Sequence, residues 1–456
     1  MGSNPIKGNT DLREEIKLKI QSFESSPKEY NKYILNLYNS SKNYDLTKYK
    51  KNHSKLIKKI NSLNEKTETY KTLSCIFGAF MGDSIGAYLE FHKPSKDNHL
   101  KIYKEKTIFG LEAGSITDDS SMAISLAYAI MDTKKRKELD QNLIYFYYGA
   151  WALTNPPDMG NATNNALIFF DYDNCVYGDN FFNEDIKNNI YINNYCSKAN
   201  GFLMRISTFV VFFYYRFKNE CEVIKSEEKK DLLNLYNKIK NIVFLDNEII
   251  HPNKENNIAC SIFVFMAICA LFNFKGKEII KKVELLLQND VFSKNEEEIN
   301  VKNIILEDLE TYKQEKINYK NFNVYNKMGY YAHAFKLTLY YLCIIDDIKH
   351  NKYEYIMNQI CDYGGDTDTN CAIVGTVIGP LIGYKNFSKD KWKTFINYLN
   401  DNNFQFCSAL MFIYVNFLEK SNSLSDSEKF EFNFYKMIFY MLNADDINID
   451  KIFDIN

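Results

Sequence analysis

The chain has 456 residues, which suits about two to three domains or one large domain with extensions. Lys and Arg number 56 against 58 Asp and Glu, a net charge of −2. That balance offers no electrostatic footprint for nucleic acid, which drops out as a leading partner. Only 18 glycines and 7 prolines are present, so long helices are expected rather than many turns. The ten cysteines form no CxxC pair. In a chain this long they read as buried reduced thiols, hence an intracellular, cytoplasmic protein.

Residues 1–70 carry 14 Lys/Arg against 8 Asp/Glu and read as a polar, basic N-terminal extension. From Leu73 the pattern turns helical: Leu73, Ile76, Phe77, Phe80, Met81, Tyr88 and Leu89 recur at helix spacing, and Met122, Leu126, Ala129 and Ile130 repeat the pattern. Further helices are expected over Gly201–Phe217, Ile258–Phe272, Tyr330–Ile345 and Asn370–Tyr384. The polar spacers near 171–198, 218–248 and 286–326 read as long loops or surface insertions. After Lys385 a helical tail is expected, with patches at Phe404–Phe417 and Phe430–Leu442, so the division is 1–70, 71–390 and 391–456. The apolar runs Ile258–Phe272 and Cys371–Tyr384 fall short of the roughly 20 residues that cross a bilayer, and no transmembrane segment is expected. No hairpin signal or fixed-period repeat is visible. The fold class is all-α.

Eight of the 18 glycines fall in three places: Gly78, Gly82 and Gly86, four apart; Gly375, Gly379 and Gly383, four apart; and Gly364-Gly365. Glycine inside a helix costs about 1 kcal/mol relative to alanine. Two such ladders call for a compensating gain, and close approach of two helix backbones supplies one. The two helices are therefore expected at the middle of the domain.

Two acidic segments stand just before apolar helical runs: Thr117-Asp118-Asp119-Ser120 and Gly364-Gly365-Asp366-Thr367-Asp368-Thr369. Capping explains one side-chain oxygen at a helix start. It does not explain four carboxylates, which repel unless a cation lies between them. Hard divalent cations with oxygen ligands fit. Two Mg²⁺ would balance Asp118, Asp119, Asp366 and Asp368, with Thr117 and Thr369 adding neutral oxygens. No Cys/His cluster points to zinc. Asp83 and Glu90, seven apart, are expected on one helical face, either of them joining the site as an acid/base carboxylate or as one that steadies the ligands. Asp158-Met159-Gly160-Asn161 follows a proline-set turn, and Asn200-Gly201 precedes a helix start that could hold phosphate. His251 precedes Pro252.

In order, these segments resemble the ADP-ribosylglycohydrolase family. The residues that carry the resemblance are Gly78–Phe91 (GAFMGDSIGAYLEF), Thr117–Ala127 (TDDSSMAISLA), Asp158–Leu167 (DMGNATNNAL), Asn200–Arg205 (NGFLMR), His251-Pro252, Gly329–Leu339 (GYYAHAFKLTL) and Gly364–Gly383 (GGDTDTNCAIVGTVIGPLIG). The resemblance implies an all-α orthogonal helical bundle with a central cleft for two Mg²⁺. It implies Thr117, Asp118, Asp119, Asp366, Asp368 and Thr369 as metal ligands, and Asp119 and Glu90 as catalytic carboxylates, Glu90 being mobile. Asp158, Gly160 and Asn161 would lie at the leaving group, and Asn200, Gly201 and His251 along the ADP-ribose. Phe202 departs from a usually small residue and is expected to crowd the ribose loop; Ser120 replaces the usual Thr. The implied activity is Mg²⁺-dependent cleavage of the N-glycosidic bond of mono-ADP-ribosylated protein, arginine-linked in view of Asp158, by a monomer.

Two rivals remain at this point. A non-catalytic ADP-ribose-binding or structural relative would be expected to lack one of the six ligands, and all six are here. Gly82–Gly86 also matches G-x-S-x-G by letter and, with Asp347 and His350, is similar to the nucleophile and base of a GDS-type serine esterase. Its helical context argues against the strand-turn that such a nucleophile needs.

Overall fold

The computed structural model describes residues 62–400, apart from 105, 133–138, 153–155, 157, 169, 171–181 and 315–321. Most of the N-terminal extension, up to residue 61, and the helical patches expected after 400 lie outside the described residues. The chain winds through α1 (Glu68–Gly86), α2 (Asp118–Asp132), α3 (Gln141–Ala152), α4 (Asn161–Leu167), α5 (Glu184–Asn194), α6 (Gly201–Met204), α7 (Ser207–Arg216) and α8 (Lys218–Cys221). It continues through α9 (Lys229–Ile250), α10 (Lys254–Leu271), α11 (Gly276–Leu287), α12 (Glu296–Gln314), α13 (Tyr331–Ile344), α14 (Lys352–Tyr363), α15 (Thr367–Ile382) and α16 (Lys389–Asn400). Among the described residues there is no strand, only an isolated antiparallel bridge between Ala199 and Tyr330. The fold is all-α.

The glycine ladders do what their spacing predicts. α1 and α15 run antiparallel at backbone contact. A Cβ on Gly78 would lie 2.2 Å from the Gly375 carbonyl oxygen, one on Gly82 2.4 Å from that of Cys371, one on Gly86 2.2 Å from that of Thr367, and one on Gly379 2.1 Å from that of Ser74. Each step of four along α1 thus meets a step of four back along α15. Gly383 belongs to a different job: it ends α15 at φ 79°. The register has a consequence for chemistry. The C-terminal end of α1, with Asp83, is driven onto the N-terminal end of α15, with Asp366 and Asp368.

In their described parts the polar spacers are largely helical, through α5, α9 and α12. Most of the Lys, Asn and Glu residues of these helices face solvent, while Leu232, Leu235, Tyr236, Ile239 and Val243 of α9 are buried at helical spacing. Composition masked that periodicity. α10 is 18 residues long and is the one described helix with the length and composition to cross a bilayer. Here 94% of it is buried inside the fold, as in a core helix.

Candidate metal centre

α2 begins at Asp118, and its first turn is held from another helix. The Thr117 N–H donates to both oxygens of Asp83 at 3.1 Å, and the Thr117 hydroxyl donates to Asp83 Oδ1 at 2.8 Å. The Ser120 N–H donates to Asp83 Oδ2 at 3.1 Å, and the Ser120 hydroxyl donates to the same oxygen. Asp83 is fully buried.

α15 begins differently. Asp366 is its N-cap residue but makes no capping bond with its side chain. Instead Asp366 Oδ2 accepts from Asn200 Nδ2 at 2.7 Å. The Thr367 hydroxyl donates to the Gly86 carbonyl at 2.6 Å, and Asp368 Oδ1 accepts from the Thr369 N–H at 2.9 Å. Simple helix capping therefore does not account for Asp366.

The two starts meet. Carboxylate oxygens of Asp83, Asp119 and Asp368 lie within 4.8 Å of one another, as do those of Glu90, Asp366 and Asp368. Asp368 is common to both groups. Thr117 Oγ1 is 3.5 Å from Asp368 Oδ2, and Thr369 Oγ1 is 3.3 Å from Asp119 Oδ2, bridging some 250 residues of sequence. Asp118 belongs to neither trio; it is buried beside them, within the field of Asp158, Asp83 and Asp366.

Glu90 is not on the helical face expected for it. α1 ends at Gly86, and Glu90 sits in the turn beyond. That turn is tied down. Phe91 adopts φ 62°, its N–H donates to the Gly365 carbonyl at 2.7 Å, and the Gly365 N–H donates to the His92 carbonyl at 3.0 Å. The left-handed Phe91 is the kind of local strain that surrounding contacts must hold in place.

The electrostatics call for positive charge. Burial pushes Asp119, Asp118 and Asp368 well above the usual carboxylate range, and repulsion from neighbouring carboxylates adds to it, led by Asp83 for Asp119, Asp158 for Asp118 and Glu90 for Asp368. Burial, then repulsion from Asp158, Asp366, Asp118 and Asp83, raises Glu90 to about 9. Burial and the charge of Asp366 raise Asp158 to about 6, and burial raises Asp83 to about 6 against its hydrogen bonds. Asp119 Oδ1 and Glu90 Oε2 are buried with no hydrogen-bond partner. Buried, unpartnered oxygens in an all-oxygen donor set match a hard divalent cation, so the residues present fit such an ion.

A model of the ADP-ribosylglycohydrolases matches residues 65–403. The chain belongs to the ADP-ribosylglycohydrolase family. The family is metal-dependent and acts on ADP-ribosylated substrates. A protein of Acanthamoeba polyphaga mimivirus described as an ADP-ribosyl glycohydrolase is 27% identical over 333 residues, covering 70% of this chain and 88% of that one. A solved structure described as an ADP-ribosylglycohydrolase-related protein complex aligns with a TM-score of 0.49 at 17% identity, over 78% of this chain and 99% of that chain.

The other family-motif residues differ in burial. Asp158 is half-buried and precedes α4, while Gly160 and Asn161 are exposed at that helix start. Asn200 is buried with its side chain on Asp366. Gly201 opens the one-turn α6, and the imidazole Nε2 of His251 lies 2.8 Å from where a Gly201 Cβ would be. His251 is buried behind the loop, held neutral by burial and by Arg205. Phe202 does not crowd the cleft. It is fully buried, its ring packed inward against His251 and Tyr331.

The esterase reading fails on geometry. Ser84 lies buried within α1, hydrogen-bonded to Tyr103 at 2.9 Å, while Asp347 and His350 are exposed and Asp347 pairs with Lys277.

Sequence reasoning gave Asp83 only a general part, as one of two carboxylates expected near the site, and did not show that it would cap α2. Arg205 had only its place in the Asn200–Arg205 motif. It is fully buried, paired with Asp246 at 3.0 Å, and donates to the Gly201 carbonyl. The Tyr148 hydroxyl donates to the same Asp246. Nothing in the chain order links Asp246 to Arg205, 41 residues away.

Proposed function

We propose that the chain is a Mg²⁺-dependent hydrolase that removes mono-ADP-ribose from protein by cleaving its N-glycosidic bond, with arginine the favoured linkage. The observation that carries this reading is the meeting of the two aspartate-bearing helix starts in one buried, all-oxygen cluster with unpartnered atoms. In this reading Thr117, Asp118, Asp119, Asp366, Asp368 and Thr369 would hold two Mg²⁺, which when bound would supply Lewis acidity toward an oxygen-rich ribose.

The chain's own groups do the rest. Asn200, Gly201 and His251 shape the wall along the ADP-ribose, and Arg205 fixes that wall from beneath through the Gly201 carbonyl. Water attacks C1″ as the C–N bond breaks through an oxocarbenium-like state. Asp119 or Glu90 takes the water's proton, and their charge stabilises the developing cation. The proton ends on the leaving nitrogen. Asp158, with Gly160 and Asn161, faces the leaving group, where a carboxylate pairs with a guanidinium. The eight described cysteines are free, which suits a reducing cytoplasm.

The test is release of ADP-ribose from defined arginine-, serine- and O-acetyl-linked substrates, with EDTA and with Mg²⁺ restored. Release from arginine that EDTA abolishes and Mg²⁺ rescues is expected. Release that ignores EDTA overturns the metal assignment, and release from serine alone overturns the linkage. Tight ADP-ribose binding without any release marks a non-catalytic relative.

A further inference from the structure

Thr117 Oγ1 has three carboxylate oxygens within reach: Asp83 Oδ1 at 2.8 Å, Asp119 Oδ2 at 3.2 Å and Asp368 Oδ2 at 3.5 Å. A hydroxyl has one proton. The nearest oxygen, on Asp83, takes it. The Asp119 and Asp368 oxygens then face the lone pairs of Thr117, an arrangement that repels unless a cation lies between. Ordinarily the N-cap threonine would turn its own oxygen to the N–H three residues on, here that of Ser120. That N–H goes to Asp83 Oδ2 instead. α2 is thus capped by a residue of α1, and the threonine at its start is released from capping.

Asp83 itself has no capacity left. Two N–H groups and two hydroxyls converge on its two oxygens, and an ionised carboxylate offers about four acceptor sites. Its closeness to Asp119 and Asp368 is therefore not ligation. The unpartnered, buried Asp119 Oδ1 marks where the cation lies instead.

We infer that Asp83 is a positioning residue of the metal centre: it caps α2 from α1 and, by taking the Thr117 proton, turns the Thr117 oxygen into a neutral donor to the cation. The inference rests on the metal-centre reading above and predicts one thing that reading does not, namely that Asp83 acts through Thr117.

The experiment is Mn²⁺ titration of the full chain, followed by electron paramagnetic resonance, for wild type, Asp83→Asn, Thr117→Val, the double variant and Ser120→Ala, with the melting temperature of each metal-free protein. Wild type should bind Mn²⁺; failure there sinks the metal-centre reading itself. Asp83→Asn should weaken binding about 10- to 100-fold, the range for residues that orient ligands. Thr117→Val should do the same, and the double variant should be no weaker than the worse single one. Losses that multiply show that Asp83 touches the cation directly and overturn the inference, as does Asp83→Asn with wild-type affinity. Should Asp83→Asn fail to fold, Ser120→Ala, which removes one donor and keeps the rest, should still weaken Mn²⁺ binding about 3-fold or more; an unchanged affinity overturns the inference.

Discussion

The two helix starts that meet in the carboxylate cluster are built by opposite means. The Thr117–Ser120 turn hangs on one ionisable side chain, Asp83, which receives every bond described above for that turn's main chain and hydroxyls. The Gly364–Thr369 turn is held by backbone. Gly364 and Gly365 take φ 69° and 83°, and a Cβ on Gly364 would lie 2.3 Å from the His92 carbonyl oxygen. Thr367 docks on the Gly86 carbonyl. The first turn is thus vulnerable to a change of charge and the second to a change of bulk. A site that needs both turns inherits both vulnerabilities.

The comparison breaks most sharply at Asp368, which belongs to both carboxylate trios, whereas Asp119 belongs to one. Removing a ligand forfeits several kcal/mol of transition-state stabilisation, about 1,000-fold in rate. Both Asp368→Asn and Asp119→Asn should therefore lose turnover on ADP-ribosyl-arginine by at least that order while keeping their helical circular dichroism. The two should differ in Mn²⁺ uptake: Asp368→Asn should lose binding altogether, and Asp119→Asn should retain part of it. Equal stoichiometry in the two variants would mean that Asp368 does not serve both carboxylate groups.

Bulk tests the second turn. Gly78→Ala and Gly86→Ala each place a Cβ 2.2 Å from a backbone oxygen of α15, so each should cost about 3 kcal/mol or somewhat more. Thermal melts should rank them together. Only Gly86 abuts Thr367 and Asp368, so only Gly86→Ala should also weaken Mn²⁺ binding. A Gly78→Ala variant that loses affinity as strongly would show the ladder to be one rigid unit.

Much of this was legible in the chain. Glycines four apart foretold close contact between α1 and α15, because few other features compensate for glycine in a helix. Acidic pairs before apolar runs foretold where carboxylates would gather, because a helix start exposes its first residues to one cleft. Other parts were hidden. Glu90 was read onto the helix because its spacing from Asp83 fits two turns, yet α1 stops at Gly86, whose carbonyl accepts from the Thr367 hydroxyl. The spacers were misread because lysine and asparagine obscured the buried stripe of α9. The Asp83 cap and the Arg205–Asp246 pair depend on where distant helices cross, which neither periodicity nor motif encodes.

The smallest effect concerns protons. Asp158 and Asp83 are raised to about 6 and Glu90 to about 9, chiefly by burial. A folded state that holds protons the unfolded chain releases gains stability at low pH and loses it as pH climbs. For the metal-free protein this contribution is full below the ordinary carboxylate values near 4 and fades as pH rises through 6 toward 9. A divalent cation replaces those protons, so saturating Mg²⁺ should flatten the slope and stabilise most at the alkaline end. Melting curves between about pH 5 and 8.5, with and without Mg²⁺, check this. Parallel slopes in the two series would count against the cluster as the cation's site. Asp158→Asn gives the finest reading. After burial, the charge of Asp158 does most to raise Glu90, and it lies outside both trios. Its loss removes a repulsion, so it should raise the alkaline end of the metal-free melting curve by a degree or two at most and leave Mn²⁺ stoichiometry untouched, separating the charge proposed for the leaving group from the charges proposed to hold the ions.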